Sequence, residues 1–195
     1  MTTTIALVRH GVTDWNRERR FQGHDDVPLN DDGRAQVAEL AERLSGERFA
    51  AAYASPLRRA AESAEILAAR LGLEVRTSSA LKEVDVGSWS GLTVVEVQER
   101  FPEGFSRWID WRVVGWDDGE RYEDFSRRVL EGLFEIAARH PGEQVLAVTH
   151  GGPIRAALAA SEGLRLGDPA GRNVALDNCA VVRIAVQDGA LERVD

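Results

Sequence analysis

Apolar residues occur along the chain in two kinds of segment, short runs typical of strands and longer stretches with helical spacing. The short runs predict strands at 3–8, 49–54, 73–78, 144–149, 180–186 and 190–194, the last two joined as a hairpin. The longer stretches predict helices from a cap in 29–33 to Gly46, over about 57–71 and 93–101, and at 125–137 and 152–161. This alternation predicts an α/β fold, a three-layer sandwich with a mostly parallel central sheet and helices on both faces.

Two of the predicted strands end in the same way, in a histidine followed at once by glycine. The first junction is Arg9-His10-Gly11, and the second is His150-Gly151. Both lie at the carboxyl ends of strands, where ligands bind in open α/β sheets. Because arginine, imidazole and a free backbone amide suit a phosphate, we expect His10 and His150 to face each other across one phosphoryl group.

Length, charge and cysteine content narrow the class of protein. A chain of 195 residues fits a single domain spanning 1–195. A net charge of −8 argues against a nucleic-acid partner, so an anionic substrate needs a local pocket of arginines. One cysteine, Cys179, excludes an intramolecular disulfide and a thiolate metal site, and makes the cytoplasm the expected compartment. Without a signal-peptide pattern or an apolar run of membrane-spanning length, no membrane partner is expected.

The two junctions belong to a longer set of motifs that resembles the histidine phosphatase superfamily, the phosphoglycerate mutase-like proteins. The motifs follow the family's order along nearly the whole chain: 7–16 (LVRHGVTDWN), Gln22-Gly23, Pro28-Leu29 with Gly33 and Gln36, 55–60 (SPLRRA), 81–83 (LKE) with 87–91 (GSWSG), and 149–152 (THGG). Any one motif is weak evidence, but together they are specific. The resemblance implies a phosphoglycerate mutase-like fold and a phosphohistidine intermediate.

Three of the matched residues carry the expected chemistry. His10 is the expected nucleophile, since a neutral imidazole can attack phosphorus with one nitrogen while an acceptor holds the other N–H. His150 is expected to donate to the transferring phosphoryl group, with Gly151 letting the backbone approach. Glu83 is the expected general acid and base, and a solvated loop carboxylate is its alternative. Its competitor Asp85 does not match the family position.

The arginines are expected to bind the phosphate oxygens. Arg9 and Arg58 offer paired donors that stay charged as negative charge spreads over the phosphoryl group. Ser55-Pro56 predicts the cap and first position of the helix at 57–71, which puts Arg58 in its first turn, where the helix dipole favours an anion. The neighbouring Arg59 is expected to be solvated.

Several polar residues have weaker assignments. Asn16, Gln22 and Gly23 match family positions that contact phosphate through an amide or the backbone, although ordinary loop roles are the alternative. His24 and His140 match no motif and are expected at the surface.

The stretch after the Glu83 loop is rich in tryptophan. Trp108, Trp111 and Trp116 predict packing against the sheet or a small lid, about 92–121, that selects the organic part of the substrate. Residues 118–120 resemble a family block ending in Gly-Glu-Ser, but Arg121 replaces the serine. The only role expected of Glu120 is therefore at the start of a helix.

These assignments predict a metal-independent phosphatase without cofactor that hydrolyses a small phosphomonoester. A cofactor-dependent phosphoglycerate mutase using the same residues is the alternative, but the stretch after Glu83 lacks that family's Arg-His-Tyr-Gly. A non-catalytic phospho-ligand binding protein is a third hypothesis, which retention of a nucleophile and a proton donor disfavours. The sequence leaves the natural substrate open. A homodimer is compatible with it, since dimers are common among soluble enzymes.

Overall fold

The computed structural model describes residues 1–109, 115, 116, 118–164 and 176–194. Across these residues the strands are β1 (Thr3–Arg9), β2 (Ala51–Ala54), β3 (Val75–Thr77), β4 (Gln144–Thr149), β5 (Val181–Gln187) and β6 (Ala190–Arg193). The helices are α1 (Asp14–Arg17), α2 (Asp31–Leu44), α3 (Arg58–Leu71), α4 (Val94–Arg100), α5 (Pro102–Ile109), α6 (Tyr122–Arg139) and α7 (Gly151–Ser161). Two 3₁₀ turns, Ser79–Leu81 and Gly87–Trp89, precede and follow the Glu83 loop.

The strands form one sheet in the order β3-β2-β4-β1-β5-β6. The pairs of β2 with β3, β2 with β4 and β1 with β4 are parallel, whereas β5 runs antiparallel to β1 and β6 antiparallel to β5. The predicted mostly parallel sheet and the carboxyl-terminal hairpin are therefore confirmed.

Both faces of the sheet are covered by helices, as β1 illustrates. Ile5 and Leu7 belong to the core that α6 and α7 share with one face. The alternate residues Ala6 and Val8 belong to a second core, formed with α2 and α3 on the other face. Since successive side chains of a strand point to opposite faces, this alternation places β1 at the centre of three layers, as predicted.

Two details of the helices differ from the sequence expectation. The helix at 57–71 begins one residue later, because Leu57 is its N-cap residue and has no side-chain cap bond. Ser55 is therefore not the N-cap, and its hydroxyl is used elsewhere. The aromatic segment after Phe101 forms α5, which the apolar pattern did not predict. No helix in the described ranges is long and apolar enough to cross a membrane.

The loop that leaves β1 crosses the first turn of α2 at very short range. A Cβ atom on Gly33 would lie 2.1 Å from the Val12 carbonyl oxygen, and one on Gly11 would lie 2.6 Å from the Gly33 carbonyl oxygen. Both clashes are with backbone atoms, which cannot rotate away as a side chain can. The two glycines thus allow the residues after His10 to pack directly on α2.

We predict that Gly33→Ala destabilises the protein by about 1–3 kcal/mol, the usual cost of overpacking. This cost exceeds the gain of up to about 1 kcal/mol that alanine brings to a helix. The matched control is Gly46→Ala, since no heavy atom lies within 4 Å of a Cβ atom built there. Urea unfolding of the three proteins measures the difference, and equal stability of the two variants would contradict the prediction.

Candidate active site

The site lies where β1 and β4 end side by side. The parallel register pairs Arg9 with Thr149, so the next residue on each strand is a histidine. The His10 N–H donates to the Thr149 carbonyl at 3.0 Å and extends the ladder by one bond. The ring centroids of His10 and His150 are 5.2 Å apart. The structure thus brings the two histidines together, as expected from the two junctions.

His10 is buried and held in one tautomer. Its Nδ1 lies 2.7 Å from the Gly11 carbonyl oxygen, and because a carbonyl only accepts, Nδ1 carries the proton. The other nitrogen, Nε2, therefore keeps its lone pair. Burial lowers the pKa of His10 well below 6.5, and the charges of Arg59 and Arg9 lower it further. A neutral imidazole with an available Nε2 is the form that a nucleophile requires.

His150 is fully buried at the N-cap position of α7. Its Nε2 lies 2.8 Å from the Ser55 hydroxyl. Its Nδ1 is buried without a hydrogen-bond partner among the described residues. Burial, then the charge of Arg59, lowers the pKa of His150 well below 6.5. The ring is therefore neutral and has one unused polar atom.

The structure contradicts the assignment of the two adjacent arginines. Arg58 was expected at the phosphate, but its side chain is 56% exposed and its Nε donates to Glu62 at 2.8 Å. Arg59 was expected to be solvated, but it is only 1% exposed and lines the central cavity. Successive residues of a helix point about 100° apart, so only one of the two can face the site.

Arg59 is held by main-chain carbonyls. Its Nη1 and Nη2 donate to the carbonyls of Asp25 and Gly23, both at 2.8 Å. Its Nε is buried and has no partner in the part of the chain that the structure describes. Burial lowers the pKa of Arg59 to about 10, so the guanidinium remains charged at neutral pH.

Arg9 and Arg155 approach the site at the start of α7. Arg9 donates to the Leu176 carbonyl through Nη1, and burial lowers its pKa. A Cβ atom on Gly151 would lie 2.9 Å from Nη1 of Arg155 and 3.9 Å from Nε of Arg9. Gly151 therefore leaves room for the two guanidinium groups. Arg155 was not predicted, because no motif includes it.

These groups surround a cavity of about 460 Å³. Its described lining includes the arginines at 9, 20, 59 and 155 and a single carboxylate, Glu83. Arg20 is already paired with Glu18 and Glu96, whereas no ion pair joins the other three to a carboxylate among the described residues. The cavity is thus locally cationic in a chain of net charge −8, as an anion site requires.

Glu83 lines this cavity at the N-terminus of α7. Its Oε2 accepts the Gly152 N–H at 3.2 Å, and its Oε1 accepts the Val84 N–H at 3.0 Å. A Cβ atom on Gly152 would lie 2.0 Å from Oε1, so only glycine lets the carboxylate take this place. Asp85 does not line the cavity, and its Oδ1 accepts the Gly87 N–H in a turn. Of the two carboxylates, Glu83 is the one that can reach a substrate.

The three weaker assignments also line the cavity. The Asn16 side-chain oxygen accepts from Thr13 and Asn178, which leaves its NH₂ group as the remaining donor. The Gln22 side-chain oxygen is buried, and no described residue donates to it. Gly23 has a positive φ of 43° and presents its carbonyl to Arg59.

The two remaining histidines are not simple surface residues. His140 is 7% exposed and bonds the Tyr53 hydroxyl at 3.1 Å and Glu143 at 2.9 Å, so the surface expectation is wrong for it. His24 is partly buried, and its Nε2 donates to the Glu83 carbonyl at 2.8 Å. His24 thus contacts the main chain of the candidate acid.

An aromatic wall covers one side of the cavity. Among the described residues it consists of Phe21, Trp108, Trp116, Tyr122 and Phe125. Burial, then the nearby Glu83, raises the pKa of Tyr122 to about 12, so its hydroxyl keeps its proton at neutral pH. Trp111, also expected in this segment, lies outside the described residues.

Comparison with known proteins agrees with this geometry. The family model of the histidine phosphatase superfamily, branch 1, matches residues 5–194. The chain belongs to this superfamily. It is 43% identical over 157 residues to phosphoglycerate mutase-like protein 4 of Arabidopsis thaliana, covering 77% of this chain and 67% of that one. It is 37% identical over 163 residues to phosphoserine phosphatase 1 of Hydrogenobacter thermophilus, covering 83% and 77%.

Solved structures of the superfamily share the whole fold. YhfR of Bacillus stearothermophilus matches with a TM-score of 0.89 and 34% identity over 98% of this chain and 95% of that one. A mycobacterial glucosyl-3-phosphoglycerate phosphatase complexed with VO3 matches with a TM-score of 0.86 and 28% identity, covering 98% and 96%. The predicted family, fold and enzyme class are confirmed, and the protein is a histidine-type phosphatase.

We predict that Arg59→Ala lowers kcat/KM for p-nitrophenyl phosphate by about 10²–10³-fold, the usual loss when a donor to developing negative charge is removed. Arg58→Ala is the matched control, and we expect only a small change because that side chain pairs with Glu62 on the surface. Steady-state kinetics of both variants check this. A larger loss in Arg58→Ala than in Arg59→Ala would contradict it.

We predict that the rings of His10 and His150 stay neutral well below pH 6.5, since their folded-state pKa values are lowered. In urea the same rings should titrate near the ordinary value of about 6.5. As the unfolded chain then binds more protons, the folded state should lose stability as the pH falls below that value. NMR titration of histidine labelled with ¹³C measures the midpoints, and His10→Asn assigns one of them. A native His10 midpoint at or above 6.5 would rule the prediction out.

Proposed function

We propose that this phosphatase hydrolyses a small phosphorylated metabolite through a phosphohistidine formed on Nε2 of His10. The observation that carries the proposal is the state of His10: its Nδ1–H is fixed by Gly11, and its Nε2 is available. It lines a cavity in which Arg9, Arg59 and Arg155 have no ion pair with a carboxylate among the described residues. Relatives named as phosphoserine phosphatases support hydrolysis of such a substrate.

Binding of the phosphate group would use the three arginines of the cavity that form no ion pair among the described residues. The Nε atoms of Arg9 and Arg59 are buried without partners in that part of the chain, and Arg155 adds a third charge beside Gly151. The Ser55 hydroxyl can donate to Nε2 of His150, which then carries its proton on Nδ1. That N–H becomes a donor to the phosphoryl group, which gives Nδ1 the hydrogen-bond partner that no described residue supplies.

In the first chemical step, the lone pair on Nε2 of His10 attacks phosphorus, and the bond from phosphorus to the ester oxygen breaks. Protonated Glu83 would give its proton to that departing oxygen and become a carboxylate. The arginines stabilise the negative charge spread over the phosphoryl oxygens. The products of this step are the free alcohol and phospho-His10.

In the second step, water attacks the phosphohistidine. Glu83, now ionised, takes one proton from the water, and the bond between phosphorus and Nε2 breaks with its electrons returning to the ring. Inorganic phosphate leaves, His10 is again neutral, and Glu83 is again protonated. One carboxyl group thus serves as acid and then as base, so the cycle closes without a further reactant.

Selection of the organic group is assigned to the aromatic wall. Trp108, Trp116 and Tyr122 line the cavity together with the phosphate-binding residues. We propose that segment 92–121 acts as the lid predicted from sequence, within a single domain of residues 1–195. We further propose a cytoplasmic enzyme, on the basis of its single cysteine.

We predict that the wild type releases inorganic phosphate from p-nitrophenyl phosphate and that His10→Ala loses this activity, because His10 is the one imidazole among the described residues that line the cavity. Rapid acid-free quenching followed by mass spectrometry should detect phosphate on the peptide containing His10. Thermal unfolding controls for the fold of the variant. Equal activity of the two proteins would refute the mechanism. Efficient isomerisation of phosphoglycerate with little phosphate release would favour the mutase alternative.

A further inference from the structure

Glu83 lies on an irregular segment, between the 3₁₀ turn Ser79–Leu81 and the turn at Gly87–Trp89. Neither a helix nor a strand ladder fixes its main chain. Its carboxylate must nevertheless stay under the N-terminus of α7, where it accepts the Gly152 N–H. An error of about 1 Å in the position of a catalytic group can cost about 10²-fold in rate. Some other interaction therefore has to hold this segment.

Beside the bond from His24 to the Glu83 carbonyl, Arg128 on α6 supplies that interaction. Its Nη1 donates to the carbonyls of Ala80 at 2.9 Å and of Ser79 and Lys82, both at 3.2 Å. Its Nη2 donates to the carbonyl of Glu83 itself at 3.3 Å. One guanidinium group thus gathers four carbonyls of the segment that carries the carboxylate. The planar fork of arginine can do this, whereas the single ammonium of lysine cannot reproduce the set.

Glu120 fixes the orientation of that guanidinium. Its Oε1 accepts from Nε of Arg128 at 2.9 Å and its Oε2 accepts from Nη2 at 2.7 Å, which makes the pair bidentate. Oε2 also accepts the Asp85 N–H at 3.3 Å, and the Glu120 N–H donates to the Asp85 carbonyl at 2.9 Å. The Glu120 and Arg128 side chains are only 17% and 25% exposed. Glu120 therefore does more than start a helix, the sole role expected from its motif.

We propose that Arg128, oriented by Glu120, is a positioning residue that holds Glu83 for proton transfer to the leaving group. The inference rests on the proposed role of Glu83 as general acid. Arg128 acts through Glu83, since it does not line the cavity. Its loss should therefore matter most for substrates whose leaving group needs a proton.

Two substrates of nearly the same size separate proton donation from phosphate binding. The p-nitrophenolate ion is a weak base and leaves without a proton, whereas phenolate is a stronger base that benefits from one. We expect Arg128→Ala to lower kcat/KM for phenyl phosphate by about 10²-fold and that for p-nitrophenyl phosphate much less. Glu83→Gln should show the same selectivity. Arg127→Ala is the matched control, because Arg127 is 58% exposed and pairs with Asp124 on the same helix.

A double variant tests whether Arg128 acts through Glu83. In the Glu83→Gln background, Arg128→Ala should bring no further loss on phenyl phosphate. Arg128→Lys retains the positive charge, and Glu120→Gln retains an acceptor oxygen. Both variants should show the same selectivity between the substrates to a smaller degree. They replace Arg128→Ala in the test if that variant does not fold. Equal losses on both substrates, or additive losses in the double variant, would overturn the inference while leaving the role of Glu83 intact. Failure of Glu83→Gln itself to discriminate the substrates would instead refute the general acid assignment and the inference with it.

Discussion

The parallel register of β1 with β4 is the constraint on which the site depends. With Arg9 opposite Thr149, the two strands end level, and the residue that follows each is a histidine. A slip of one residue would turn every side chain of a strand to the opposite face, and both faces here are buried under helices. The packing of the whole sheet therefore fixes the main chain at both histidines, and the bonds to Gly11 and Ser55 then orient the two rings.

The buried arginines beside these rings favour catalysis in two ways. Arg9 and Arg59 are held by carbonyl oxygens, and neither forms an ion pair with a carboxylate among the described residues. An incoming phosphate can supply the opposite charge. Until it does, the same charges oppose protonation of His10 and help to lower its pKa. The groups that attract the substrate thus also keep the nucleophile in its reactive form.

The extent to which the site could be predicted depended on how local each signal was. The strand-His-Gly junctions are local patterns, and they led to both histidines. Arg58 and Arg59 differ in helical phase, because the buried positions of α3 include Arg59, Ala60, Ser63, Ala64 and Leu67. Arg59 is in phase with that buried face of the helix and Arg58 is not. Helical phase therefore identifies the arginine that faces the site better than position in the first turn does.

Other features are not visible in any local pattern. His140 is buried beside Tyr53, which lies on a strand distant in sequence. The bonds from Arg128 to the carbonyls of the Glu83 segment form only when α6 packs beside that segment. Such contacts join residues far apart in sequence, and no period or motif spacing specifies them. Sequence could indicate the type of chemistry, but these supports required the tertiary fold.

The nucleophile loop shows why such supports matter. The Gly11 N–H donates to the Ser63 hydroxyl at 3.1 Å, and Asn178 donates to the His10 carbonyl at 2.9 Å. Together with the bond from His10 to Thr149, these contacts hold the loop from α3, from β4 and from the segment before β5. All three act on the main chain on either side of the ring. The imidazole therefore uses only Nδ1 for its own orientation, and Nε2 remains available for attack on phosphorus.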